Sequence, residues 1–413
     1  MFRTWRVLRA FNRGTHVFLM VCALDAFGYF GIQAVLLNLY LLRLGLGAQF
    51  IGLLIASGQL TWAIAALPAG AIGQRLGLRA TLILASALAA LGMGLLLLVE
   101  LLPRSLWTLW LFGSWAILWI GTALYSVNSP PYLMHVTPPE TRRHAFAAQG
   151  AVLAFMGFAG SLVAGLLPGL LVSWAGGSLD HPGPYRSVLW VAPVSYLLCA
   201  LLWLGTPPVH VAKTPEVQST TLKPLRLFAF VVLLVYLQTA SEGVLSFFNL
   251  YLDRQLGVPT AQIGTILSIG QLLSIVGVLA VPHLLLRYGT PASLTWTTLG
   301  VGVAMVPLAL LPHWIPATIG FIGVSAMSAM NGPMRTVLSQ ELVGPQWRTT
   351  TSALLTIGLA LGWASTAALG GYLLAHAGFS LLFRISAGLA FAAVLLLCWY
   401  VRLQAKATAS TSP

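Results

Sequence analysis

The sequence predicts an all-α membrane protein of about twelve transmembrane helices, arranged as two pseudo-symmetric six-helix bundles. Three observations carry that prediction. Hydrophobic residues make up 58% of the 413-residue chain and charged residues only 7%, whereas soluble domains average about 25% charged. Apolar runs of about 20 residues, the length that crosses a bilayer, recur from one end to the other between short polar breaks. The second half of the chain also restates the first, at an offset of 212 from Ile51-Gly52 through Arg75 and Gly77.

In order, the runs fall at about 15 to 42, 49 to 73, 79 to 101, 107 to 133, 146 to 174 and 188 to 205, then 225 to 250, 261 to 284, 291 to 311, 315 to 338, 350 to 374 and 381 to 401. Their apolar character is continuous rather than alternating, so they read as helices and not as strands of a barrel. Arg3, Arg6, Arg9 and Arg13 before the first run imitate a secretory signal. The run continues past Asp25 to Leu42, longer than a signal's core, and is read as a retained first helix. Cys22, Cys199 and Cys398 each fall inside a helix and are expected to be packing residues, not an oxidised framework. A polar stretch from Pro207 to Lys223, rich in Pro, Thr, Ser, Gln and Lys, divides the chain into an N-terminal bundle (1–206), a cytoplasmic linker (207–224) and a C-terminal bundle (225–413).

A net charge of +13 would suggest nucleic acid in a soluble protein. Topology accounts for it better. With the amino terminus inside, Arg3, Arg6, Arg9, Arg13, Arg75, Arg79, Arg142, Arg143, Lys213, Lys223, Arg226, Arg287, Arg348, Arg402 and Lys406 are cytoplasmic. Arg43, Arg104, Arg186 and Arg254 are outside, and Arg335 and Arg384 lie near helix ends. That asymmetry is the positive-inside bias, and it places both termini in the cytoplasm.

The repeat is exact at several places. Asn38-Leu39-Tyr40-Leu41 returns as Asn249-Leu250-Tyr251-Leu252, Ile51-Gly52 as Ile263-Gly264, and Gly58-Gln59-Leu60 as Gly270-Gln271-Leu272. Arg75 with Gly77 returns as Arg287 with Gly289, and Asn128-Ser129-Pro130 as Asn331-Gly332-Pro333. Two such halves make a seam of the kind at which transporters bind substrate.

Over essentially its whole length the chain resembles the major facilitator superfamily. The most specific carrier of the resemblance is the loop after the second helix, Gly70-Ala71-Ile72-Gly73-Gln74-Arg75-Leu76-Gly77-Leu78-Arg79. Gly70, Arg75, Gly77 and Arg79 match the family's signature, and Gln74 stands where the family carries aspartate. A degenerate copy runs from Pro282 through Arg287 to Gly289. Pro139-Glu140-Thr141-Arg142-Arg143 and Gly344-Pro345-Gln346-Trp347-Arg348 resemble the family's loops after helices four and ten. Helix five has Gly157, Gly160, Gly165 and Pro168, and helix eleven has Gly358, Gly362, Gly370 and Gly371. These are loosely similar to the glycine motif of the superfamily's drug exporters, although ordinary close packing by small residues is the more direct reading. Helix four lacks the arginine that many proton-coupled exporters carry there. The resemblance implies alternating access, with the loop residues Gly70, Gln74, Arg75, Gly77, Arg79, Arg287 and Gly289 acting in the conformational cycle.

An ionisable group inside a bilayer calls for a reason, since it costs at least about 2.5 to 3.5 kcal/mol on insertion scales. Asp25 lies roughly 13 Å into helix one at 1.5 Å per residue, near mid-membrane, with Tyr29 and Gln33 following on the same face. Helix seven, its symmetry mate, repeats the stripe in Gln238, Glu242 and Ser246, with Asn249 behind. Asp25 and Glu242 are the candidate proton-coupling residues. The bland alternative is an acid paired for assembly with a helix-end arginine such as Arg335. Candidate substrate contacts are Tyr29, Gln33, Asn38, Gln59, Tyr125, Asn128, Tyr236, Gln238, Ser246, Asn249, Gln271 and Asn331. For Asn128 and Asn331, next to proline, repair of freed backbone carbonyls is the more direct reading. Acids among aromatic walls suit a lipophilic cation better than an anion.

No phosphate-binding loop, no His-Glu-x-x-His pattern and no Gly-x-Ser-x-Gly turn is present, so ATP hydrolysis, metallohydrolase chemistry and a nucleophile elbow are not expected. Neither enzyme activity nor a cofactor or metal is anticipated. The expected function is a proton-coupled secondary transporter exporting amphipathic or cationic small molecules. The alternatives are a carrier of a small polar metabolite or a non-transporting membrane receptor. The expected partners are a small-molecule substrate, protons and membrane lipids, without nucleic acid, for a monomer in the bacterial inner membrane.

Overall fold

The computed structural model describes residues 11–138, 141–206, 225–344 and 347–409. The linker 207–224, with Lys213 and Lys223, lies outside the described residues, as do Arg3, Arg6, Arg9, Pro139, Glu140, Pro345 and Gln346. Every regular element among the described residues is helical. The long helices are α1 (Arg13–Arg43), α2 (Ala48–Leu76), α3 (Leu78–Leu97), α4 (Trp107–Val136), α5 (Arg142–Ala175) and α6 (Gly183–Leu204) in the first half. The second half supplies α7 (Leu225–Arg254), α8 (Thr260–Tyr288), α9 (Thr290–Leu310), α10 (Trp314–Glu341), α11 (Arg348–His376) and α12 (Gly378–Ala409). Each covers one of the apolar runs of the sequence.

Eleven candidate spans among the described residues are long and apolar enough to cross a membrane. The helix below that threshold is α10, which carries Asn331 and Arg335 in its second half. Outward-facing side chains support the same reading. Leu67 and Leu279 are each 74% exposed and Leu286 is 89% exposed. Water would penalise such a surface and hydrocarbon would not.

The helix ends follow local chemistry. Asn12 accepts from the Thr15 amide at 2.8 Å and caps the start of α1. Gly77 (φ +84°) and Gly289 (φ +74°) break the chain between α2 and α3 and between α8 and α9. A left-handed backbone there is what glycine permits at no steric cost, which explains why the repeat preserves this residue.

Irregular segments interrupt α1 and α7. Residues Phe27–Gln33 of α1 are π-helical, and Gly243–Phe247 of α7 form a 3-10 segment. Both distortions begin within two residues of an intramembrane acid, Asp25 in one helix and Glu242 in the other. Such departures commonly mark functional positions.

The chain divides into two compact units. The first takes the chain up to Leu46, from Ser57 to the linker, and Pro259–Ser268. Its core joins Phe18, Val21 and Cys22 of α1 to Leu82, Tyr132, Cys199 and Trp203. The second takes Gly47–Ala56, the chain from the linker to Val258, and everything from Ile269 onward. Its core joins Val231 and Leu234 of α7 to Leu294, Met334, Leu397 and Tyr400. The cysteines are free thiols, Cys22 and Cys199 buried and Cys398 half-buried.

Candidate functional site

In the first unit the site is built around Asp25. Its carboxylate is half-buried and has no hydrogen-bond or ion-pair partner among the described residues. Cys22, Tyr29, Tyr125, Tyr196 and Cys199 stand close enough to feel its charge. Tyr125 of α4 meets Cys22 through an OH···Sγ contact of 3.6 Å. The Tyr29 ring lies edge-on to Trp119 at 6.2 Å, and Trp119 is edge-on to Trp115 at 5.8 Å. An unpaired acid beside a run of aromatic faces has the elements that attract an organic cation.

The close approach that shapes this region is made by glycine. A Cβ on Gly31 would lie 2.4 Å from the Gly160 Cα, so α1 and α5 touch backbone to backbone where α1 is π-helical. A Cβ on Gly58 would meet the Trp119 and Trp115 indole nitrogens at 2.3 and 2.4 Å. Both indole N–H groups are buried and lack a hydrogen-bond partner among the described residues.

Gln33, from the same sequence stripe, is buried, and its Oε1 accepts from the Tyr196 hydroxyl at 3.0 Å. Gln59 is half-buried, and Asn38 is buried. Asn128 donates to the carbonyls of Ala69 (3.1 Å) and Leu124 (2.9 Å), so its amide serves the backbones of α2 and α4. Pro130 and Pro131 free the carbonyls of Ser126 and Val127, and neither is one of these two acceptors.

The second unit treats its acid differently. Glu242 is 4% exposed and accepts from Asn331 Nδ2 at 2.9 Å and from both terminal nitrogens of Arg335 at 3.5 Å. Asn331 in turn accepts from Thr297 Oγ1 at 2.7 Å. Gln238, one turn before Glu242, donates to Thr298 Oγ1 at 2.6 Å, while its Oε1 is buried without a donor among the described residues. Asn249 is buried with its Oδ1 accepting from the Leu250 amide at 2.9 Å. Tyr236, Ser246 and Gln271 are half-buried. The acid–arginine pairing weighed against a proton-coupling role is therefore present at Glu242. It is absent at Asp25 among the described residues.

In the signature loop, Gln74 and Arg75 are exposed, and Arg75 has no ion pair among the described residues. Arg79 instead donates from Nε to the Trp203 carbonyl at 3.2 Å and from a terminal nitrogen to the Leu204 carbonyl, capping the end of α6. Arg142 caps α4 in the same way through the Met134 carbonyl at 2.9 Å. Gly70 has only Val127 near its missing Cβ, at 3.8 Å. The glycine under steric constraint is Gly73, where a Cβ would sit 1.8 Å from Asn128 Oδ1. Sequence reasoning passed over both Gly73 and the anchoring role of Arg79. The one available signal was an extra glycine in a helical stretch, where it normally costs stability.

Comparison with known proteins gives a consistent family. A family model described as the Major Facilitator Superfamily matches residues 18–364. The chain is 23% identical over 377 residues to multidrug resistance protein MdtH of Photorhabdus laumondii subsp. laumondii, covering 89% of this chain and 88% of the relative. Its fold is similar to that of a D-xylose–proton symporter (TM-score 0.73, 18% identity, covering 93% of this chain and 96% of that one). It is also similar to a mutant of the nucleoside transporter NupG (TM-score 0.72, 16% identity, covering 93% and 99%).

Proposed function

Because the chain belongs to the Major Facilitator Superfamily, we propose that this multi-pass membrane transporter is proton-coupled and exports amphipathic or cationic small molecules by alternating access. Family membership makes it a transporter and not an enzyme. The finer reading is carried by one observation. Asp25 is a half-buried residue whose carboxylate has no partner among the described residues, at the edge of the π-helical segment of α1 and among tyrosine rings, one of which, Tyr29, lies edge-on to Trp119. A lone acid in that setting can hold a proton or an organic cation but not both, and such competition couples the two fluxes. The relative named a multidrug resistance protein is in keeping with this substrate class. The basic residues are distributed as expected for a bacterial inner-membrane protein with both termini inside, and a monomer suffices for the mechanism.

The test is proton release on binding. Purified protein in weakly buffered detergent solution is mixed with tetraphenylphosphonium while bulk pH is followed. The wild type is expected to release protons in proportion to ligand bound, and Asp25→Asn to release none. Binding by the wild type without proton release would refute the coupling.

A further inference from the structure

The two intramembrane acids occupy symmetry-related helices, and symmetry would assign them one role. Their surroundings differ. We infer that Glu242 is not a second proton carrier: Glu242 and Arg335 form a permanently ionised positioning pair in the second unit, leaving Asp25, of these two acids, to exchange protons in the cycle. This deepens the function proposed above and rests on it.

The argument is one of donors and acceptors. The groups that donate to Glu242 are Asn331 Nδ2 at 2.9 Å and two guanidinium nitrogens of Arg335 at 3.5 Å, and the buried Ser328 hydroxyl, otherwise without a partner among the described residues, stands beside the carboxylate. A protonated carboxyl would need an acceptor for its own O–H. Arginine has none, so the O–H would have to turn to the Ser328 hydroxyl or to the second lone pair of Asn331 Oδ1, whose first is taken by Thr297 at 2.7 Å, and the guanidinium would lose its charged acceptor. Arg335 is the one charged group in an ion pair with Glu242 among the described residues, and its side chain is 7% exposed. Neutralising Glu242 would strand that cation in the bundle. Among the described residues the other elements packed nearby supply hydroxyls, Thr297 and Thr298 of α9 and Thr366 of α11, the last donating to the Ala240 carbonyl at 2.6 Å. Asp25 meets the opposite conditions. Its neighbours are the thiols of Cys22 and Cys199 and the phenols of Tyr29, Tyr125 and Tyr196, with no cation among them.

The pair positions the acid and, through Asn331 and Thr297, ties α7 to α10 and α9 beside the 3-10 segment that follows Glu242. Removing one partner leaves a buried charge uncompensated, whereas removing both leaves a neutral site.

The experiment compares Glu242→Gln, Arg335→Gln, the double variant and Asp25→Asn in the full-length protein. It uses thermal unfolding, pH-difference infrared spectra of the protonated-carboxyl C=O stretch, and pH-driven efflux of tetraphenylphosphonium from proteoliposomes. Each single variant of the pair is expected to lose at least tenfold in efflux and to unfold at lower temperature, and the double variant to recover in both. The infrared band that titrates across neutral pH is expected to persist in the double variant and to vanish in Asp25→Asn. A band that vanishes in the double variant and persists in Asp25→Asn would overturn the inference. So would a double variant as impaired as the worse single one while remaining folded. A wild type with no titrating band, but with stability recovered in the double variant, would refute proton carriage by Asp25 while upholding the pair.

Discussion

Substituting Gly73 by alanine isolates a contact that the loop signature does not advertise. The new Cβ would fall 1.8 Å from Asn128 Oδ1 and 2.8 Å from its Cγ, so the asparagine side chain must leave. It then gives up its bonds to the Ala69 and Leu124 carbonyls, at 3.1 and 2.9 Å, in a site where it is 2% exposed. Two hydrogen bonds at about 0.5 to 1.5 kcal/mol each, with a further penalty of about 1 to 3 kcal/mol for a stranded polar group, set the loss. Alanine's better helix propensity returns about 1 kcal/mol. The net destabilisation is about 1 to 5 kcal/mol. Asn128→Ala loses the same bonds without the clash. In the double variant the methyl group has room, so its stability should equal or exceed that of Asn128→Ala alone. Reversible unfolding in mixed detergent micelles gives all three values. A neutral Gly73→Ala, or singles that add in the double variant, would refute the packing argument.

Two other substitutions probe the signature loop. Gly77→Ala and Gly289→Ala force an L-residue into backbones at φ +84° and +74° with ψ near extended values, each costing about 1 to 3 kcal/mol; equal losses in thermal unfolding are expected, and tolerance of either would contradict the assigned conformation. Arg79→Gln removes the charged cap from the Trp203 and Leu204 carbonyls and is expected to cost about 1 to 2 kcal/mol, whereas Arg75→Gln, exposed and without an ion pair among the described residues, should leave stability within about 0.5 kcal/mol.

The helical spans were legible in the sequence because length and apolar content follow directly from bilayer thickness. The span below the membrane-crossing threshold, α10, is also the one with Asn331 and Arg335, and these polar residues help lower its hydropathy. The π-helical turn of α1 was not legible, since the close approach of Gly31 to Gly160 involves residues far apart in the chain. Nor was the divergence of the two asparagines. Asn128-Ser-Pro and Asn331-Gly-Pro look equivalent, yet Asn128 faces Gly73 and backbone carbonyls, and Asn331 faces Thr297 and Glu242. The repeat places Ala85 opposite Thr297 and Leu285 opposite Gly73. Those two exchanges decide which partner each amide finds, and neither resembles a motif. The sequence could name Arg335 as a partner for an acid, but which acid it meets required the packing of α7 against α10.

The most direct test of proton-coupled export is made in proteoliposomes holding an entrapped pH indicator. Tetraphenylphosphonium is added with no imposed gradient, and the internal pH is followed for wild type, Asp25→Asn and empty liposomes. Coupled exchange predicts a cation-evoked pH change in the wild type alone. A change of the same size in Asp25→Asn, or none in a wild type that moves the cation, would contradict it.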